Sequence, residues 1–209
     1  LVLVAAMAAT GIFGVAVNMV RMAGGGVQGA TITGFLGVLL LLGISNLEGG
    51  LEFVKASGAG TEGFWQWVDI KGLEGPSASS SWYPSEAGWW WWRATRVIDT
   101  VEGASSLDYT ITEFPFFSLL LGDLHPHVMS LPFVLAFVAL VLNLFNASIR
   151  EAPTPETLPV TILGWARRNA WAFVALALVL GALGFINLWD LPVFAALVAG
   201  AVLVKWYGR

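Results

Sequence analysis

Asp123, His125 and His127 stand close together in the stretch TEFPFFSLLLGDLHPHVMSLPF, and the two histidines are the only ones in the chain. One carboxylate and two imidazoles can hold a divalent cation such as Mg²⁺ or Mn²⁺, contact a phosphate or move a proton. Pro126 disfavours helical dihedrals at His125 and suits the first position of a helix. The spacing therefore predicts a helix beginning at Pro126. Asp123 and His125 precede it in extended form, with side chains on one face, and His127 falls in the first helical turn. Such an N-terminus is positive and rich in free N–H groups, so a phosphate is its natural guest. A plainer reading fits the same residues: Asp123 caps the helix and the histidines bond to carbonyls or lipid. The D-x-H-x-H spacing leaves both open.

Neighbouring residues extend this candidate site. Glu113 stands just before the short apolar run 114–121. Eight residues cannot cross a bilayer core, which needs about 20 in helix. The run is expected to be an interfacial or re-entrant helix, tolerated where its ends line a cavity. Upstream lie Trp89, Trp90, Trp91 and Trp92, followed by Arg93 and Arg96. The arginines at i and i+3 share a face if helical, and a guanidinium can bind phosphate bidentately. Their other expected role is a salt bridge to Asp99 or Glu102. Trp91 and Trp92 could stack on a sugar or lipid head group, or sit in an interfacial aromatic belt.

The elements that must position these groups are membrane spans. The chain has 209 residues, of which 57% are hydrophobic and 11% charged, against about 25% charged in a soluble domain. It contains no cysteine, which excludes disulfides, thiolate metal sites and a cysteine nucleophile. No charged segment followed by a cleavage site marks a signal peptide, and the expected context is a piece of a longer polytopic chain. Five apolar stretches are candidate helical spans: residues 1–20, 31–45, 128–147, 170–186 and 191–205; the second and fourth are short and fit where their ends lie in protein. They are too long and too uniform for barrel strands. The expected fold is all-α, with about five transmembrane helices and short interfacial helices.

Five alternating spans put Arg21, Arg150, Arg167, Arg168, Lys205 and Arg209 on one side, with only Glu151 and Glu156 among the acids. That side is predicted to be cytoplasmic. Residues 46–122 then form a long extracytoplasmic segment and 148–169 a cytoplasmic connector. The outer segment carries Lys55, Lys71, Arg93 and Arg96 and too many tryptophans for a disordered chain, although its Ser/Gly/Pro-rich stretch 75–81 reads as a mobile loop. The connector contains Pro153, Pro155 and Pro159, and TILGWARR at its end reads as a short interfacial helix with a basic end.

GISNLEGG and GFINLWDLP repeat one pattern at the outer ends of two spans: Gly, two residues, Asn-Leu, then an acid nearby. Asn46 and Asn187 either cap helix C-termini, since Asn tolerates the left-handed conformation, or converge on one polar cavity. Asp190 stands beside the second.

Taken together, EFPFFSLLLGDLHPHVMSLPF, WWWWRATRVI and GFINLWDLP resemble the YYY membrane proteins over most of the chain. These are large, highly hydrophobic prokaryotic proteins grouped under a domain of unknown function and distantly similar to GT-C glycosyltransferases. The tyrosine triplet of that family and its acidic motif from an earlier outer loop do not occur in these residues. The resemblance implies a transferase that takes sugar from a polyprenyl-phosphate donor at the extracytoplasmic face of a cell membrane, in contact with lipid and with the rest of the same polypeptide. Asp123, His125 and His127 are then candidates to stabilise the lipid-phosphate leaving group, directly or through a metal. Glu113 or Asp190 would orient an acceptor hydroxyl, with Arg93, Arg96, Trp91, Trp92 and Asn187 contacting substrate. Two other classes fit the composition: a transporter with proton-relaying acids and broken helices, and a non-catalytic assembly subunit. Nothing in the charge pattern points to nucleic acid.

Overall fold

A computed structural model of the chain describes residues 1–70, 72–75, 81–84, 90–102, 105–146 and 158–207. Trp89, Lys71, Arg150, Glu151, Glu156, Arg209, most of the stretch 75–81 and the first part of the predicted connector lie outside the described residues. The described chain divides into two units, one of Leu1–Val38 with Leu124–Arg209 and one of Leu39–Asp123.

Unit 1 is built from α1 (Val2–Met22), α2 (Val27–Val38), α7 (Pro126–Asn146), α8 (Leu158–Arg168), α9 (Ala170–Ile186) and α10 (Asp190–Tyr207). Among the described residues three helices are long and apolar enough to cross a membrane: Val2–Met22, Val27–Ile44 and Pro126–Asn146. A fourth crossing results if α8 and α9, bent by 104° at Asn169, count as one broken span. The predicted spans 170–186 and 191–205 correspond to α9 and α10. α7 begins at Pro126, as the proline predicts.

Apolar helices in lipid gain little from hydrophobic sorting and associate through close packing. Gly34 of α2 lies against Phe13 of α1, where a β-carbon would stand 2.6 Å from the ring. Phe137, Val141 and Leu144 of α7 bury themselves against Leu176 and Leu183 of α9. One polar tie fixes the end of α7: Lys205 Nζ donates to the carbonyls of Leu144 and Phe145 at 2.8 and 2.7 Å. These are among the last carbonyls of the helix, which have no partner within it.

Unit 2 holds the chain after α2 continues as a π-helical turn, Leu39–Ile44. Then come α3 (Leu47–Ala56), α4 (Glu62–Val68), α5 (Trp90–Arg93), β1 (Asp99–Glu102), β2 (Ser105–Tyr109) and α6 (Pro115–Leu121). The predicted outer segment falls within this unit. The helical fold class holds with one addition, an antiparallel hairpin pairing Asp99 with Tyr109 and Glu102 with Ser105. The β-branched residues of VIDTVE favour strand over helix. The register shifts between Thr100 and Val101, a bulge that re-aims the strand. α6 is the short helix expected for residues 114–121, opened by Pro115 and closed by Gly122 at φ 74°.

Replacing Lys205 by Met leaves the α7 carbonyls without their charged donor. We expect a loss of about 1–3 kcal/mol, read as a lower Tm of the detergent-solubilised protein than wild type.

Candidate functional site

The most constrained polar arrangement lies in unit 2 and starts with α3. Asn46 caps the N-terminus of this helix: its Oδ1 accepts from the Glu48 backbone N–H at 2.9 Å. Its Nδ2 donates to the Ala94 carbonyl at 2.9 Å, tying α3 to the chain that leaves α5. Within LEGGLEFVKA, Glu48, Glu52 and Lys55 recur at i, i+4 and i+7 and so share one face of α3.

Each of the three has a different fate. Glu52 is 1% exposed, and both its oxygens accept from Arg93, one from Nε and one from Nη2. This fork-to-fork pairing is the strongest geometry available to a guanidinium and a carboxylate. The remaining Arg93 Nη1 donates to the Gly72 carbonyl at 3.0 Å. Gly72 has φ 86°, and a β-carbon there would stand 2.7 Å from Arg93 Nη1, so both backbone and space call for glycine. Lys55 Nζ donates to three successive carbonyls, those of Leu73, Glu74 and Gly75, and lies 5.3 Å from the centre of the Trp65 ring. Burial holds its ammonium below the usual lysine range.

Glu48 is 5% exposed, and neither carboxylate oxygen has a hydrogen-bond partner among the described residues. Burial first, then the neighbouring Glu52 charge and a close approach of the Glu52 side chain that favours the protonated form, push its carboxyl up to about 8, with Arg93 opposing. Glu48 therefore keeps its proton at neutral pH. An acid of this kind can donate a proton, or accept one once deprotonated, near physiological pH.

Aromatic side chains wall this arrangement. Trp90 lies over α3 at Gly49, where a β-carbon would meet its ring at 2.5 Å. It stacks on Phe116 of α6 at 5.8 Å and meets Phe53 edge-on at 5.5 Å. Trp91 packs on Phe117, and Trp92, 45% exposed, also lies beside Phe117. The described part of the tryptophan run thus packs on α3 and α6 within unit 2, and Trp92 keeps a free edge at its surface.

The other sequence-predicted residues are placed as follows. Arg93 pairs with Glu52, which α3 delivers as a buried carboxylate, while Asp99 and Glu102 belong to β1. Its fork is occupied, so it does not present a phosphate clamp. α5 ends at Arg93, so Arg96 does not share a helical face with it. Arg96 instead stacks over Trp92 at 3.6 Å and donates to the Trp92 carbonyl. Glu113 is half-buried, 3.5 Å from the Ser118 hydroxyl. Asp123 is exposed after Gly122, its backbone N–H returning to the Ser118 carbonyl. In unit 1, His125 precedes α7 and gives its carbonyl to Val128 and Met129, and its ring lies 5.9 Å from that of His127. Among the described residues no group of three or more His, Asp or Glu side chains is placed to hold a metal ion. Asn187 ends α9 in extended rather than left-handed conformation and donates to Asp190 Oδ1 at 3.0 Å. Asn46 is likewise no C-cap, since it starts a helix instead of ending one.

Glu48 and Glu52 were not singled out by sequence reasoning, although Glu48 is the acid of GISNLEGG. The signal was present: two acids four apart, preceded by an N-capping Asn, in a chain with few charges.

The raised carboxyl has a consequence for stability. Folded Glu48 holds its proton up to about pH 8, whereas the unfolded carboxyl releases it near 4.5. Within that window the folded state binds more protons, so stability falls as pH rises and levels off above it. Unfolding measured across this range should show wild type losing a few kcal/mol, and Glu48→Gln should lose most of that slope.

No curated protein and no solved structure matches the chain. One family model does, and it covers residues 1–209. The match agrees with the membrane-crossing helices of unit 1: the chain belongs to the family of uncharacterized membrane proteins DUF2298.

Proposed function

We propose that the chain is a segment of a GT-C-like membrane glycosyltransferase, transferring a sugar from a polyprenyl-phosphate donor at the extracytoplasmic face. The observation that carries this reading is the buried carboxyl of Glu48, held near neutral pKa beside the Glu52–Arg93 pair. Ordinary core packing would neutralise or replace such a group. Once the Glu48 proton has left, the carboxylate can accept from a hydroxyl donor.

In the proposed reaction Glu48 acts in its deprotonated form, which its carboxyl reaches as pH approaches about 8, and takes the proton of the acceptor hydroxyl. The hydroxyl oxygen forms a bond to the anomeric carbon as the bond from that carbon to the donor phosphate oxygen breaks. The electron pair leaves with the polyprenyl phosphate. Glu52 and Arg93 act as positioning residues, because their pairing keeps Arg93 from neutralising Glu48. Arg96 on Trp92 supplies a cation and an aromatic face for phosphate or sugar. His125 and His127, at the start of a membrane-crossing helix, are proposed independently as contacts to a lipid phosphate.

Proton-coupled transport would also use a carboxyl titrating near 8. Transport sites lie near the midplane within broken spans, whereas Glu48 belongs to α3, outside the membrane-crossing candidates. This favours transfer.

The test is sugar transfer by the full-length protein in membranes supplied with polyprenyl-phosphate sugars. Glu48→Gln should lower kcat by roughly 10²–10⁴-fold, the usual worth of a general base, with little change in KM. Full transfer by Glu48→Gln, or proton-coupled uptake without transfer in proteoliposomes, would contradict the proposal.

A further inference from the structure

We infer that α8 is a docking surface for anionic lipid head groups, with Arg167 and Arg168 as the phosphate-binding side chains. The inference rests on unit 1 alone and is independent of the proposed reaction.

The sequence LPVTILGWARR is amphipathic in helical form. At 100° per residue, Ile162, Leu163, Trp165 and Ala166 fall on one side of the helix, and Gly164, Arg167 and Arg168 on the other. Val160 is the exception, an apolar residue on the basic side. Trp165 packs against the buried cluster of α7 and α9. Ile162 and Leu163, on the same apolar side, stay 40% and 53% exposed. Both arginines are exposed, and α8 contains no acid to pair with them.

The bend says what covers this surface. α8 meets α9 at 104°. Spans tilt on average about 20° from the bilayer normal. If α9 crosses the membrane, α8 therefore lies within roughly 35° of the membrane plane. Arg168 stands two residues before Ala170, where α9 begins, which is about 3 Å of helix rise. The guanidinium groups are thus held at the depth of the lipid phosphates, and Ile162 and Leu163 meet the acyl boundary. Basic residues in a last turn also complement the helix dipole, but that role does not require uncovered apolar residues on the same helix. A zwitterionic head group balances its own phosphate, whereas two adjacent guanidiniums on a helix that carries no acid favour a net negative lipid.

The experiment uses the full-length protein reconstituted in phosphatidylcholine bilayers with spin-labelled phosphatidylglycerol or spin-labelled phosphatidylcholine as reporter. Wild type is expected to select phosphatidylglycerol. R167Q/R168Q should reduce that selectivity roughly tenfold, and R167K/R168K should retain most of it, because the claim concerns charge. Equal selectivity in wild type and R167Q/R168Q would overturn the inference, as would an equally large loss in R167K/R168K. A nitroxide at Leu163 adds a second readout. Collision with lipid-soluble oxygen is expected, while collision with an aqueous reagent, or with neither, would show that water or protein covers the face.

Discussion

The fork pairing of Glu52 with Arg93 is the contact on which unit 2 depends. It joins residues 41 positions apart, from α3 to the end of the tryptophan helix. Burying the Glu52 charge alone would cost several kcal/mol, so it is buried with the half-buried Arg93 guanidinium against it. Their geometry also decides the state of a third group. Arg93 has given its fork to Glu52 and its remaining nitrogen to Gly72. Lys55, on the same face of α3, is turned to backbone carbonyls. With both cations engaged, Glu48 is left with burial and a neighbouring negative charge. A proton is the remaining way to neutralise it.

Unit 1 answers a different constraint. Helices among lipid satisfy their backbone internally except at their ends. Among the described residues, the ends are where its charged side chains appear. Lys205 closes α7, Asn187 and Asp190 bond across the turn from α9 to α10, and Arg167 and Arg168 occupy the last turn before α9. The glycines and alanines between these ends allow close approach instead of carrying chemistry.

Much of this was legible in the sequence because composition and proline dictate it. Pro126 set the start of α7 through its own φ and its effect on His125. Pro115 and Gly122 bounded α6, and the lengths of the apolar runs marked α1 and α7. The pairing inside unit 2 was not legible. Asp99 and Glu102 are the first acids after Arg93 in sequence, and only the folded chain shows that they join a strand while Glu52 arrives from α3. Asn46 misled for a related reason. An Asn near a span end reads as a stop, but here a new helix begins after it, and the acid two residues on receives its cap.

Glu48 links the architecture to the proposed chemistry, because a buried acid that exchanges its proton near neutral pH suits hydroxyl activation. The most direct measurement is an infrared titration of the protonated carboxyl band in the purified protein, taken as the difference between wild type and Glu48→Gln. A band that is lost with a midpoint at about pH 8 is the predicted result. Loss of the band near 4.5, the value of an ordinary glutamate, would contradict it.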